Sequence, residues 1–150
     1  MNKSDHFLTE KEEQEVVEAI RIAEKNTSGE LRVHIERTTD LPAFERAAQV
    51  FRLLKMDTTE LRNGVLIYLA VKDRVFAIYG DKGINEAVPA GFWEDTRDIM
   101  ASHFKKGDFI QGLINGILKA GEQLQQHFPW HTADKNELED TISKGDDFST

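Results

Sequence analysis

Glu30, Asp57, Asp81, Asn85, Glu86 and Glu94 are side-chain oxygen donors, several of them next to turn-forming residues. Hard cations such as Ca2+ and Mg2+ take ligands of this kind: carboxylates, amides, backbone carbonyls and water. Gly80 and Gly83 flank Asp81-Lys82, and glycine lets backbone carbonyls come close to an ion. The expectation is a Ca2+ or Mg2+ site built from these six residues. Glu60 is left out of it, because Lys55 and Arg62 are near enough in sequence to pair with it; the competing reading makes Asp81 and Glu86 solvated loop acids, with Asp81 paired to Arg62 or Lys82. The chain has no cysteine, which removes thiolate metal sites, disulfides and cysteine nucleophiles. Its five histidines are scattered without HExxH spacing, which argues against zinc. His34 reads as an exposed strand residue and His103 as a core residue of a helix, while Pro129 separates His127 from His131. No P-loop, GxGxxG, GxSxG or serine triad is present, and Gly80–Gly83 is too short to cradle a phosphate.

Such donors form a site only if the fold gathers them. Thr9 and Glu12 make a capping box ahead of Val16, Ile20 and Ala23 at helical spacing. Leu31, Val33 and Ile35 then alternate with Arg32, His34 and Glu36, the pattern of a half-exposed strand. Asp40 and Pro42 open a second helix with Phe44, Ala47, Ala48, Phe51 and Leu54 on its stripe. Val65–Val71 and Val75–Tyr79 are continuous apolar runs joined by Lys72-Asp73-Arg74, a connection that permits only an antiparallel hairpin. Pro89 opens a third helix, and Asp108 with Gln111 a fourth, in which Gly112, Gly116 and Ala120 recur every fourth residue and imply close packing.

The order α-β-α-β-β-α-α predicts an α/β fold, a small mixed sheet covered by helices on both faces. The helix between the first two strands makes them parallel. The start of strand one, the loop before strand two and the end of strand three then share one end of the sheet, where Glu30, Asp57, Asp81 and Glu86 converge. Like charges gathered there repel, so a bound ion would stabilise the fold. A second group, Glu36, Asp40 and Asp73, lies at the opposite end, beyond the carboxyl ends of the parallel strands, where ligands of open α/β sheets usually sit. It ranks second because Asp40 suits a helix cap and Asp73 a hairpin turn.

With 39% apolar residues and nine Phe, 150 residues make one domain with a real core. The net charge is −8, and half of the excess falls between His131 and Thr150, where six acids face two lysines. Residues 1–8 read as an N-terminal arm, 9–128 as the folded domain and 129–150 as an acidic, disordered tail. An acidic surface argues against nucleic acid. No apolar run is long enough to span a membrane, and the N-terminus does not read as a secretion signal, so a cytoplasmic monomer is expected.

Three stretches occur in a familiar order: "SGELRVHIE", "RNGVLIYLAVKDRVFAIYGDKGINEAVP" and "GFWEDTRDIMASHFKKGDFIQGLINGILKAGEQL". Together they resemble the TPM domain family, over about residues 9 to 128. The resemblance implies an α/β/α sandwich, acidic loops that bind divalent cations, and the acid phosphatase activity of plant members. Many members carry a signal peptide and a C-terminal membrane helix; neither is seen here, and a stand-alone domain is expected. The family signature "GxGLEGVLTD" aligns from Gly83, which puts Asn85 at its Glu and Ala90 at its closing Asp. Two acids are lost and Asp81 is gained, which points to a shifted metal site. Divalent-cation binding with a structural or regulatory role is therefore expected. The alternatives are metal-dependent phosphomonoester hydrolysis, with the ion as Lewis acid and a bound water as nucleophile, and a protein-interaction module.

Overall fold

The computed structural model describes residues 8–25, 27–129 and 142–144. Helix α1 (Glu10–Lys25) begins at the capping box, with Thr9 Oγ1 accepting from Glu12 N at 3.1 Å and Glu12 Oε1 from Thr9 N at 2.8 Å. Strand β1 (Glu30–Glu36) follows, then α2 (Ala43–Leu53), a 3-10 turn at Met56–Thr58, and the hairpin of β2 (Gly64–Ala70) and β3 (Val75–Gly80). Helices α3 (Lys82–Ala87), α4 (Glu94–Lys105) and α5 (Phe109–Gln125) come next, and β4 (Ser143–Lys144) closes the chain's described elements.

The sheet order is β3-β2-β1-β4, with β1 parallel to β2 and β3 antiparallel to it. Helices α1, α4 and α5 cover one face and α2 the other, giving the expected α/β/α sandwich. Every residue of β2 is buried, as its unbroken apolar run requires. Leu31, Val33 and Ile35 of β1 join Val65, Ile67 and Leu69 in the larger core, beneath Val16, Ile20, Ile117 and Leu124. Leu66 and Tyr68 point the other way, onto Ala47, Val50 and Phe51 of α2. Fully burying a large apolar side chain is worth about 1.5–3 kcal/mol, so these two layers dominate stability. The small residues of α5 mark its closest approaches: a Cβ at Gly116 would lie 2.5 Å from Met100, and one at Gly121 2.6 Å from Ala23.

Several expectations change. Strand β1 is not half-exposed: on its polar side His34 is completely buried against Tyr68 and Ser143, and Glu36 is held by the Arg46 side chain. Asp40 does not cap α2, which starts after Pro42 without a side-chain cap, and Phe44 is 58% exposed while Val50 takes its place in the core. The segment after Gly80 is not a loop but α3, so Asn85 and Glu86 are helical residues. Most of the segment expected to be a disordered tail lies outside the described residues, as does nearly all of the N-terminal arm. Residues 142–144 do not behave as a tail: Ile142 is buried in the larger core, and Ser143 and Lys144 extend the sheet. The apolar Ile142 supplies burial that the surrounding acids cannot.

Candidate functional site

The three loops expected to meet do meet. Glu30 pairs with Gly64 in the β1–β2 register, and Asp81 N donates to Gly64 O at 2.9 Å, so these three residues lie in a row at one end of the sheet. Gly83 seats the first turn of α3 on the preceding loop. Its N–H donates to Arg62 O at 2.9 Å, and an added Cβ would stand 2.3 Å from Leu61 O. Arg62 adopts a left-handed φ of 51°, and its guanidinium points back to Asp81.

At this end Asp81 is buried, and it is held by a cation already present in the chain. Arg62 Nε donates to Asp81 Oδ2 at 2.8 Å and Nη2 to Oδ1 at 3.0 Å, while Lys82 N donates to Oδ1 at 2.7 Å in a helix cap. Hydrogen bonding to Asp81, and then its charge, raise the pKa of Arg62, with Asp57 adding to the field. The other candidates are arranged differently. Glu30 is buried at the start of β1 and Asp57 is half-buried in the 3-10 turn. Asn85 is exposed, its amide turned back to donate to Gly80 O at 3.2 Å. Glu86 is exposed and 3.9 Å from Lys82 Nζ, and Glu94 is exposed in the first turn of α4.

Oxygen donors of this kind suit a hard cation in type. Thr59 adds a buried hydroxyl, two residues from Asp57, whose Oγ1 has no hydrogen-bond partner. Among the described residues, however, no three His, Asp or Glu side chains stand close enough to cage an ion. For Asp81 to take an ion, Arg62 would have to withdraw from it. The sequence offered Arg62 and Lys82 alike as cations for Asp81; the side chain that pairs with it is that of Arg62, 19 residues away, while Lys82 gives only its backbone N–H.

The opposite end holds a denser polar cluster. Glu36, almost fully buried, accepts from Arg46 Nε at 2.8 Å and Nη2 at 2.9 Å, from the Tyr68 hydroxyl, and shares a 3.1 Å hydrogen bond with His34 Nε2. Burial alone would raise its pKa, but hydrogen bonds from Arg46, His34 and Tyr68 outweigh it and lower the carboxyl to about 2. Burial first, then Glu36, push the Tyr68 hydroxyl up. The imidazole stacks on Tyr68 with centroids 5.8 Å apart, and its Nδ1 meets Ser143 Oγ at 2.9 Å. A polar cleft of about 330 Å³ opens beside Glu36 and Arg46, between Thr38, Asp40 and Gln49. Asp73, the third acid of this end, accepts from Thr39 N at 2.8 Å, which pins the loop after β1 to the hairpin. Sequence alternation marked His34 and Glu36 as one face; what it could not show is that the face is covered.

Among the described residues no helix is long and apolar enough to cross a membrane. No curated protein matches the chain. Among solved structures, the NMR structure of the BA42 protein from the psychrophilic bacterium Bizionia argentinensis is similar at 56% identity and TM-score 0.89, covering 97% of this chain and 100% of that one. The N-terminal domain of a P. gingivalis protein matches at 22% identity and TM-score 0.67, covering 84% of this chain and 83% of that one, a likeness of fold alone. So does the N-terminal domain of the cg2496 protein of Corynebacterium glutamicum, at 9% identity and TM-score 0.60, with coverages of 90% and 79%. The sequence profile of the TPM domain matches residues 1–123, most of the described fold. The chain belongs to the TPM domain family.

Proposed function

We propose that this TPM domain binds Ca2+ or Mg2+ at the Asp81 end of the sheet, where the ion replaces Arg62 as the partner of Asp81 and serves a structural or regulatory purpose. One observation carries the reading. The Asp81 side chain is 5% exposed and needs a positive partner, yet the partner it has sits on a side chain 46% exposed to solvent. A buried carboxylate is costly without a counter-charge, whereas a half-exposed guanidinium loses little by turning to water. Asp57 and the unpartnered Thr59 hydroxyl are further oxygen donors in the adjoining turn.

An ion that binds the folded site and not the unfolded chain raises stability by about 2.7 kcal/mol at a hundredfold excess over Kd. The melting temperature should rise roughly 5–10 °C for a domain of this size. Calcium and magnesium must be compared with sodium at matched ionic strength, since salt screens the acids as well. Asp81→Asn should blunt the rise. It should also lower the metal-free melting point, because the Arg62 bridge and the α3 cap both weaken; charge repulsion alone would predict the reverse. A melting curve that divalent ions leave where sodium leaves it would sink the proposal.

Phosphomonoester hydrolysis is the second reading, and the Asn85 amide weighs against it. It occupies the family's Glu position and is turned to its own backbone, and Ala90 offers no ligand at all. Purified protein with calcium or magnesium is expected to release no phosphate from a generic phosphomonoester above a no-enzyme control. A metal-dependent rate that disappears in Asp81→Ala would promote the enzyme reading instead.

A further inference from the structure

Glu36 and Asp81, buried carboxylates at opposite ends of the sheet, meet their arginines in different ways. Arg46 is set into the structure. Its side chain is 20% exposed, it gives two hydrogen bonds to Glu36, and Gln49 Oε1 accepts a third. Glu36 also holds the Tyr68 hydroxyl and His34, so it does not rest on the arginine alone. Arg62 is only laid over its partner. Its side chain is 46% exposed, and both of its side-chain hydrogen bonds among the described residues end on Asp81. The Arg62 backbone is anchored without them: its N–H donates to Thr59 O at 3.2 Å and its carbonyl accepts from Gly83 N at 2.9 Å. Asp81 keeps the Lys82 N–H at 2.7 Å whatever the guanidinium does. The arginine side chain can therefore swing into water while the loop and the first turn of α3 keep their backbone bonds.

A buried acid needs a positive partner, but an arginine this exposed to water and salt holds it weakly. Resting on the reading that Asp81 takes a divalent ion, we infer that Arg62 is the latch of that site: a tethered cation that competes with Ca2+ or Mg2+ for Asp81 and sets the concentration at which the site loads. A site without such a competitor stays filled at low ion concentration. Here Arg62 returns as the ion leaves, so emptying the site never leaves Asp81 without a counter-charge. The latch thus favours the regulatory purpose over the structural one. It contributes to the metal-free state only, so removing it weakens that state and leaves the loaded state as it was. The stability lost without ion and the affinity gained for it are the same free energy, read in two ways.

Calcium and magnesium are titrated at constant ionic strength into the 15N-labelled full chain as wild type, Arg62→Gln and Lys82→Gln, and all are melted with and without ion. Arg62→Gln should bind about fivefold tighter than wild type. It should melt lower than wild type without ion and together with it when loaded. In wild type the Arg62 Nε–H should exchange faster with water as ion is added. Lys82→Gln removes an equal charge, but one whose side chain lies 3.9 Å from Glu86 instead, and it should change the affinity far less. Equal or weaker binding by Arg62→Gln, with wild type still binding, overturns the latch and leaves the ion site standing. A gain matched by Lys82→Gln overturns it as well, since the general field of a nearby cation then explains both. Should Arg62→Gln fail to fold, Arg62→Lys takes its place: it keeps the charge but loses the paired hydrogen bonds, and binding no tighter than wild type overturns the latch. If no divalent-specific shift appears in any of these proteins, the ion site itself falls, and the latch with it.

Discussion

Replacing Glu36 by alanine should destabilise the domain by about 3–5 kcal/mol, the usual consequence of removing one partner of a buried ion pair. Three groups depend on this carboxylate: the Arg46 guanidinium through two hydrogen bonds, the Tyr68 hydroxyl and His34 Nε2. His34 and Tyr68 are completely buried, and the Arg46 side chain is 20% exposed at the rim of the cleft. For a domain of this size the melting temperature should fall by roughly 6–20 °C. Urea melts of wild type and Glu36→Ala at neutral pH measure the difference. A loss below about 1 kcal/mol would mean that water or rearrangement satisfies the three groups, and that the cluster is not a structural keystone.

The same carboxylate predicts an acid limb in the stability profile. In the folded chain its pKa is lowered from 4.5 to about 2. A group depressed on folding binds fewer protons in the native state than in the unfolded one between those two values. Its contribution is therefore full above about pH 5 and is lost as the pH falls through 4.5 toward 2, at most about 3 kcal/mol in all. Glu36→Gln should flatten that limb relative to wild type, leaving the slope owed to other carboxylates. An unchanged acid limb in the variant would assign the pH dependence elsewhere.

Gly83→Ala is expected to have the next largest effect, about 2–3 kcal/mol, at the other end of the sheet. The added Cβ would stand 2.3 Å from Leu61 O and 2.6 Å from Arg62 O, both backbone atoms that cannot rotate away. Overpacking of this kind forces the backbone to shift. Relief requires α3 to move off the 61–63 loop, which stretches the Gly83 N to Arg62 O bond and pulls Asp81 from its arginine. The variant should thus combine a lower melting point with faster hydrogen exchange at Lys82 and Gly83. A near-neutral substitution would show that the contact between the α3 turn and this loop is soft, and that Arg62 and Asp81 are not held by it.

Much of the architecture was legible because it rests on short-range patterns. The capping box at Thr9 and Glu12 forms as its spacing requires. The unbroken apolar run of β2 and the short Lys72–Arg74 connection led to a hairpin, and the helix between β1 and β2 led to a parallel pair; both follow from chain geometry within a few residues. From those two facts alone the loops bearing Glu30, Asp57 and Asp81 were placed at one end of the sheet, and there they are.

Which charges would neutralise one another was decided only in three dimensions. The sequence left Asp81 a choice of Arg62 or Lys82, and the fold selects Arg62, 19 residues away; Glu36 takes Arg46 and Tyr68 from two other elements, a pairing nothing in the sequence marked. Alternation told that His34 and Glu36 share a face of β1, but an alternating strand reads the same whether its polar face meets water or a covering helix. Ser143 reaches His34 across 109 residues of chain, from a segment whose acidity suggested disorder. Periodicity is a local property of the chain and so belongs to the sequence; the pairing of buried polar groups is set by which distant elements the core brings together, and that belongs to the tertiary structure.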